Sequence, residues 1–416
     1  MVRLRPRPNR AILMAVAVCA ALVVWLAAPP LAGAGFEQYF HFIGNDPDEA
    51  DPGYNEDAQG LANDGDRWYV TQKDSDGECW VWRMLTLHGG GAVKKAMSTI
   101  PGLYNSIGDP CCYNYPPASG TWYLLVPMWN GSGQSLVAVF RGNDALDYVG
   151  SAALIDPHPQ WIAVDPSGMV YTADFGDVSA LTIYALDWSQ LVYGNVAVTY
   201  QSSVALRDAT GLPLSLSRIQ GGEFSPSGGL LYLNCGMLQE PDGGFGLHVF
   251  ETASWRRIAR SSNGGEPFNY QFNNGGIFDE EPKGLTVWDR SVQGQLHVLL
   301  LDNDYPYSEN DIYVKHYTSI IYADVNHSGT EDGTFENPFN TIQEALDFYG
   351  DCDFWTGAKI GLKAGAYPEA LTFGTDKPVQ VRAKGSPCTV GITGRFRFPV
   401  GAAAISIYSG GAVKLH

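Results

Sequence analysis

Two pairs of adjacent acidic residues stand at corresponding points of the sequence and are the strongest candidates for chemistry. Each pair is followed two residues later by Gly-Leu, and two further aspartates come shortly after the second pair. Clustered carboxylates repel one another unless protons or a cation compensate them, and Ca²⁺ takes roughly six to eight oxygen ligands. The sequence therefore leaves two interpretations open, a solvated acidic surface on a strongly acidic chain and a calcium site. The predicted ligands are Glu56, Asp57, Glu280, Glu281, Asp302 and Asp304.

Other familiar catalytic patterns are missing from the sequence. It contains no G-x-S-x-G, no H-E-x-x-H and no Walker loop, so nothing points to a serine hydrolase, a zinc protease or a nucleotide-binding enzyme. A bound calcium ion would then have to act by polarising an ester or phosphoryl oxygen.

The elements that must position these acids form a weak repeat. Short aromatic and β-branched runs recur between Gly, Pro, Asn and Asp, which is the pattern of strands joined by tight turns. A repeat of roughly 50–60 residues with three or four strands is typical of a β-propeller blade. The five copies are GLANDGDRWYV from Gly60, SGTWYLLV from Ser119, WIAVDPSGMVYTA from Trp161, GGEFSPSGGLLYL from Gly221 and GLTVWDRSVQGQLHVLLL from Gly284.

Five copies predict five blades, and a six-bladed ring with one degenerate blade is the alternative. The last copy has only three obvious strands, so the run FEQYFHFIG from Phe36 is expected to supply its outer strand and close the ring. One aromatic position recurs in every copy and is predicted to pack between neighbouring blades. These residues are Tyr69, Tyr123, Tyr171, Tyr232 and His297.

The last 97 or so residues carry a more specific pattern, YADVNHSGTEDGTFENPFNTIQEALD, followed by AKIGLKAGAYPEALTF, PVQVRAKGSPCTVGI and AISIYSGGAVKL. This pattern resembles the short domain that opens bacterial pectin-lyase-like proteins. The resemblance implies a right-handed parallel β-helix. Thr341 and Glu344 form a predicted capping box for a short helix that would cover one end of it.

The strand spacing in this segment allows only two or three coils. Lyases and epimerases of the family have their catalytic groups on later coils, so the segment is expected to be a small structural module. A truncated polysaccharide lyase or epimerase is the alternative, and a chain continuing past His416 would favour it. The predicted domains are a signal peptide over residues 1–34, a propeller over 35–318 and the short β-helix over 319–416.

The N-terminus has the features of an export signal. Four arginines precede an apolar run over residues 11–28, and small residues follow, so cleavage is predicted after Ala34. An uncleaved membrane anchor is the alternative. Removing four basic and no acidic residues from 26 and 44 leaves a net charge of −22, which excludes a nucleic-acid partner on electrostatic grounds.

The cysteines fit an exported protein. Six remain after Cys19 is removed with the signal, so few free thiols are expected. Cys352–Cys388 is the predicted disulfide because both residues lie in the C-terminal segment. Cys111 and Cys112 are expected to pair with each other or separately, one of them with Cys79.

The central segment also resembles exported bacterial β-propeller proteins without an assigned activity, through GYNEDAQGLAND, EEPKGLTVWD and GQLHVLLLDND. The leading prediction is a secreted or cell-surface, non-enzymatic protein that binds extracellular carbohydrate or a protein partner. The alternative is a calcium-dependent lactone or phosphoester hydrolase, since its acids resemble in general arrangement those of six-bladed calcium hydrolases such as lactonases and phosphotriesterases.

Overall fold

The structure is a computed structural model in which the described part of the chain is almost entirely strands and turns. This agrees with the short aromatic and β-branched runs of the sequence. The described residues are 34–35, 39–47, 52–97, 105–235, 246–261, 281–288, 295–302, 311–331, 333–335, 337–351, 359–372, 380–383, 389–392, 396–397, 406–409 and 412–415.

Blade 1 is a four-stranded antiparallel sheet whose strands pair in chain order. Two strands precede it, β1 (Ala34–Gly35) and β2 (Phe40–Asn45). The blade itself consists of β3 (Ala58–Asn63), β4 (Trp68–Lys73), β5 (Cys79–Met84) and β6 (Val93–Ala96).

Blade 2 has an interrupted inner strand, because two short strands both pair with the next one. Its strands are β7 (Ser106–Ile107), β8 (Cys111–Asn114), β9 (Trp122–Trp129), β10 (Ser135–Arg141) and β11 (Tyr148–Leu154).

Blade 3 has the regular four-stranded order, and a small separate sheet leads from it to blade 4. Its strands are β12 (Ala163–Val164), β13 (Met169–Thr172), β15 (Ala180–Leu186) and β16 (Val198–Ala205), and a 3₁₀-helix covers Trp188–Tyr193. The separate sheet pairs β14 (Asp177–Val178) with β17 (Leu216–Ser217).

Blades 4 and 5 both recruit a strand from the N-terminus. In blade 4, β1 adds in parallel to the outer strand, and in blade 5, β2 adds antiparallel to the third strand. The predicted ring closure by the run from Phe36 is therefore confirmed. Blade 4 contains β18 (Ile219–Phe224), β19 (Leu230–Cys235), β20 (Gly246–Glu251) and β21 (Arg256–Arg260), and blade 5 contains β22 (Glu281–Trp288), β23 (Gln295–Asp302) and β24 (Asp311–Ala323).

Five apolar cores, one between each pair of neighbouring blades, show that the ring has five blades rather than six. The recurring aromatic position contributes to these interfaces as predicted. Four tyrosines lie one in each of four cores, and the buried ring of His297 packs against Trp68 across the contact between blades 5 and 1. The four tyrosines are Tyr69, Tyr123, Tyr171 and Tyr232.

The centre of the ring is closed by one buried carboxyl group, that of Asp109 in the break between β7 and β8. Its Oδ1 accepts the N–H of Leu61 in blade 1 at 2.8 Å, and its Oδ2 accepts those of Gly222 in blade 4 and Leu285 in blade 5 at 3.2 and 3.4 Å. Its backbone bonds to blade 3, through Gln160 O at 2.7 Å and the N–H of Ile162 at 3.2 Å. Asp109 therefore hydrogen-bonds to all four other blades.

Strand β24 continues past the ring into a set of parallel ladders, so the predicted domain boundary at residues 318/319 falls inside one strand. Its last residues pair in parallel with β25, which pairs with β28, which pairs with β31. Two further parallel ladders lie alongside. The strands are β25 (Lys359–Leu362), β26 (Gly365–Tyr367), β27 (Leu371–Thr372), β28 (Gln380–Ala383), β29 (Thr389–Ile392), β30 (Phe396–Arg397), β31 (Ser406–Ser409) and β32 (Ala412–Leu415).

Helix α1 (Ile342–Asp351) contacts β24, β25 and β27. It begins at the predicted capping box, where the Thr341 N–H donates to Glu344 Oε2 at 3.1 Å and the Glu344 N–H donates to Thr341 Oγ1 at 3.1 Å. One face of the helix is apolar and buried, and it consists of Ile342, Ala345 and Leu346.

Four cysteines of the propeller are free thiols, which corrects the expectation that they form disulfides: Cys79, Cys111, Cys112 and Cys235. Cys111 and Cys112 are consecutive in β8, so their side chains point to opposite faces of the strand and pack in different cores between blades. The predicted pair Cys352–Cys388 lies outside the described residues, as do residues 1–33. Within the described part of the chain, no helix has the length and apolar character needed to span a membrane.

Candidate functional site

The acidic mouth of the ring is formed by Asp57, Glu281 and Lys283, which lie where the inner strands of blades 1 and 5 begin. The structure thus brings together one acid from each of the two predicted pairs. Lys283 forms ion pairs with both, with its Nζ 3.8 Å from Asp57 Oδ1 and in direct contact with Glu281 Oε2. Burial acts to lower the pKa of Lys283, but the two carboxylates outweigh it and the pKa is raised. A charged lysine therefore compensates these acids.

The remaining predicted calcium ligands are not joined to this group by the described contacts. Glu56 Oε2 accepts the backbone N–H of Ser75 at 2.9 Å. Glu280 and Asp304 lie outside the described residues, as does the side chain of Asp302. In the part of the chain that the structure describes, no three His, Cys, Asp or Glu side chains are grouped to hold a metal ion. The calcium site stays a prediction.

The opposite mouth, where the inner strands end, contains a cavity of about 360 Å³. We call it the mouth cavity. Residues from four of the five blades line it, so it lies at the ring axis. Its size falls in the range of small-molecule sites, which combine apolar walls with a few polar groups. The lining residues are Asn63, Asp64, Gly65, Asp66, Cys112, Trp122, Glu223, Phe224, Pro226, Val287 and Trp288.

Glu223 is the most unusual group in the mouth cavity. It lies in inner strand β18, two residues after Gly221. Because alternate residues of a strand face the same side, Glu223 faces the same side of the strand as Gly221. Its side chain is only 9% exposed, and burial raises its pKa to about 8. The Cys111 thiol and the Phe224 N–H donate to Glu223 Oε1 at 3.5 and 3.2 Å, and they only partly oppose this effect. At neutral pH Glu223 is therefore a protonated acid that faces a cavity.

Two aspartates of blade 1 line the mouth cavity together with Glu223, and they differ in how many partners they already have. Asp64 is fully engaged, because its carboxylate accepts the hydroxyl of Tyr69 at 2.7 Å and pairs with Arg67 at 3.5 Å. Asp66 is exposed at the rim of the cavity. The cavity thus presents a neutral carboxylic acid and a solvent-accessible carboxylate, together with the partly exposed indoles of Trp122 and Trp288.

Sequence reasoning missed Glu223, although the segment GGEFSPSGG was recognised as part of the repeat. An acidic residue at the end of an otherwise apolar and glycine-rich inner strand was the available signal. Its importance depends on burial by other blades, which a single repeat does not reveal.

No family model matches the sequence, and no curated protein matches it. Solved structures do match, at low similarity. A GH43_1 enzyme from Xanthomonas citri complexed with xylose has a TM-score of 0.38 and 12% identity over 64% of this chain and 89% of that one. CoXyl43, a GH43 β-xylosidase/α-arabinofuranosidase from a compost microbial metagenome, has a TM-score of 0.36 and 10% identity over 67% and 94%. An aldose sugar dehydrogenase from Streptomyces coelicolor has a TM-score of 0.33 and 10% identity over 70% and 100%.

These matches correct the leading functional prediction. A non-enzymatic binding or structural protein was expected, whereas several matched structures are GH43 enzymes.

Proposed function

We propose that the protein is a carbohydrate-active hydrolase that cleaves glycosidic bonds in the mouth cavity, with Glu223 as general acid. The observation that carries this proposal is the buried carboxyl group of Glu223, whose pKa is raised to about 8 in an accessible cavity. Glycosidases of most families use one carboxylic acid with a raised pKa and a second carboxylate. Asp66 is the second carboxylate that the cavity offers.

The chemistry follows from the protonation states of these two groups. Glu223 donates its proton to the glycosidic oxygen as the bond to the anomeric carbon breaks, so the leaving sugar departs as an alcohol. Asp66 accepts a proton from a water molecule whose oxygen bonds to the anomeric carbon, and its negative charge stabilises the positive charge that develops on the sugar ring. Trp122 and Trp288 supply flat apolar faces that can stack on a sugar.

The test compares Glu223→Gln with the wild type on substrates that differ in how much they need a proton. The panel pairs unactivated disaccharides of xylose, arabinose, glucose, galactose and mannose with the 2,4-dinitrophenyl glycosides of the same sugars. Loss of a general acid slows cleavage by roughly 10²- to 10⁴-fold. We expect that loss on the disaccharides and a much smaller one on the dinitrophenyl glycosides, whose leaving group departs without a proton.

Glu251→Gln is the matched control, because Glu251 lies in the same blade but contacts only Ser254 among the described side-chain contacts. It should leave both substrate classes unaffected. Equal losses on both classes in Glu223→Gln, or no hydrolysis of any substrate by the wild type, would contradict the proposal.

We also propose that the C-terminal segment forms a short parallel β-helix, with α1 over one end, of the kind that opens pectin-lyase-like proteins. Three parallel ladders with matched registers support it, as does the contact of α1 with β24, β25 and β27. Hydrogen exchange is the test: residues 320–323, 359–362 and 380–383 should be protected together. Rapid exchange of 380–383 alone would contradict a continuous stack.

Export is a further proposal, supported by the basic and apolar N-terminal segment. Ala34 pairs with Ala259 and Gly35 with Arg260, so cleavage after Ala34 would leave only Gly35 of β1. N-terminal sequencing of the protein from the culture medium would give Gly35 first. Recovery of intact Met1 from the membrane fraction would indicate an uncleaved anchor instead.

A further inference from the structure

A second cavity, of about 210 Å³, opens beside the mouth cavity. We call it the side cavity. The two share the lining residues Asn63, Gly65, Asp66 and Trp288, so they lie side by side. A ligand longer than one unit that enters the mouth cavity can therefore extend into the side cavity without leaving the protein surface.

The far end of the side cavity carries a polar pair. His88 Nε2 lies 2.7 Å from Asp46 Oδ1, and both side chains are about half exposed, at 59% and 50%. Asp46 is held in place from below, because its carbonyl oxygen lies 2.7 Å from Nε2 of His316. Asp46 directly follows β2, so the N-terminal strand that closes the ring also completes this cavity.

Apolar groups form the remaining wall. The Trp68 indole packs edge-on against Trp288, with ring centroids 6.1 Å apart, and Leu85 is 57% exposed at the rim. A wall of indole and aliphatic groups beside an exposed His–Asp pair suits a sugar ring, which presents an apolar face and hydroxyl groups at its edge.

We propose that the side cavity binds a second unit of a neutral oligosaccharide whose neighbouring unit occupies the mouth cavity. This inference rests on the proposed glycoside hydrolysis and specifies its substrate as a chain of two or more neutral sugars. His88 and Asp46 bond the hydroxyls of the second unit. Uronic acids are disfavoured, because Asp46 and Asp66 line the cavity and both histidines of its lining already contact Asp46, His88 at the carboxylate and His316 at the carbonyl oxygen.

The test measures binding rather than turnover, in the Glu223→Gln variant of the full chain. Xylose, xylobiose and xylotriose are titrated by calorimetry, alongside the matching gluco- and manno-series and digalacturonic acid as the charged probe. In one of the neutral series, affinity should rise about tenfold between one unit and the length that fills both cavities, which corresponds to one or two good polar contacts. Digalacturonic acid should show no such gain.

Substitutions at the rim of the side cavity then show whether the gain in affinity comes from contacts made there. Adding His88→Ala should reduce the gain in affinity with ligand length from about tenfold to about twofold, because the polar contacts to the second unit are lost. Leu85→Ala, in the same loop as His88, should also reduce the gain in affinity and serves as a second variant. His158→Ala is the matched control, because His158 forms a similar exposed pair with Asp174, at 3.5 Å, away from both cavities.

The outcomes separate the two proposals. A length-dependent affinity that His88→Ala removes supports the side cavity, even if the wild type hydrolyses nothing and the proposed function fails. Affinity that is equal at all lengths, a gain that survives both rim substitutions, or no binding of any neutral sugar would overturn the side-cavity inference, whatever the wild type hydrolyses.

Discussion

Replacing Glu223 with Gln should change how the stability of the protein depends on pH. The pKa of Glu223 is raised from 4.5 to about 8 in the folded protein. Below pH 4.5 both the folded and the unfolded chain hold the proton. Between these values the unfolded chain releases it and the folded chain keeps it, so the folded state binds more protons and the free energy of unfolding falls as pH rises.

The size of the effect follows from one proton. Its contribution is about 1.4 kcal/mol per pH unit, so Glu223 should cost roughly 2.7 kcal/mol of stability between pH 5 and 7. The loss is complete once pH has passed the folded pKa of about 8. Glutamine has nearly the same shape and cannot titrate, so the variant should lack this slope and become more stable than the wild type toward high pH.

The assay is urea unfolding followed by tryptophan fluorescence at several pH values between 4.5 and 8.5. The quantity of interest is the difference in unfolding free energy between Glu223→Gln and the wild type, because other titrating groups cancel in it. Glu251→Gln supplies the baseline for an ordinary glutamate. A difference that stays constant within about 0.5 kcal/mol from pH 5 to 8 would refute both the raised pKa and the acid role built on it.

Three further predictions concern the ring and the cysteines. Asp109→Ala should lower the free energy of unfolding by about 4 kcal/mol or more in urea titrations, because it leaves three buried N–H groups of three blades unpaired; a loss under about 1 kcal/mol would show that water replaces the carboxylate. Gly284→Ala should cost about 3 kcal/mol, since its Cβ would lie 2.2 Å from Asp109 Oδ1 and 2.6 Å from Gly60 Cα, whereas Gly131→Ala, with open space around it, should be nearly neutral. Thiol counting in denaturant without reductant should find the four propeller cysteines free and peptide mapping should find Cys352 bonded to Cys388; full alkylation of Cys352 would contradict that pair.

The sequence by itself determined the strand repeats and favoured five blades, and the apolar cores between blades then decided against six. Each blade is a local run of strands and tight turns, so its pattern is visible within roughly 60 residues. The recurring aromatic position gave the blade interfaces for the same reason, since each copy must bury that ring against its neighbour. The capping box at Thr341 could likewise be predicted from the sequence, because it involves only four consecutive residues.

Only the tertiary structure decided what the centre of the ring does. Gly60 and Gly284 allow the inner strands to approach closely, and the N–H groups of Leu61 and Leu285 bind Asp109. The metal site suggested by the acidic pairs before these glycines stays a prediction. The donors to Asp109 lie 48, 113 and 176 residues away in sequence. The raised pKa of Glu223 has the same origin, because it depends on burial by blades that are distant in sequence. No local pattern records such contacts, since they exist only once the ring has closed.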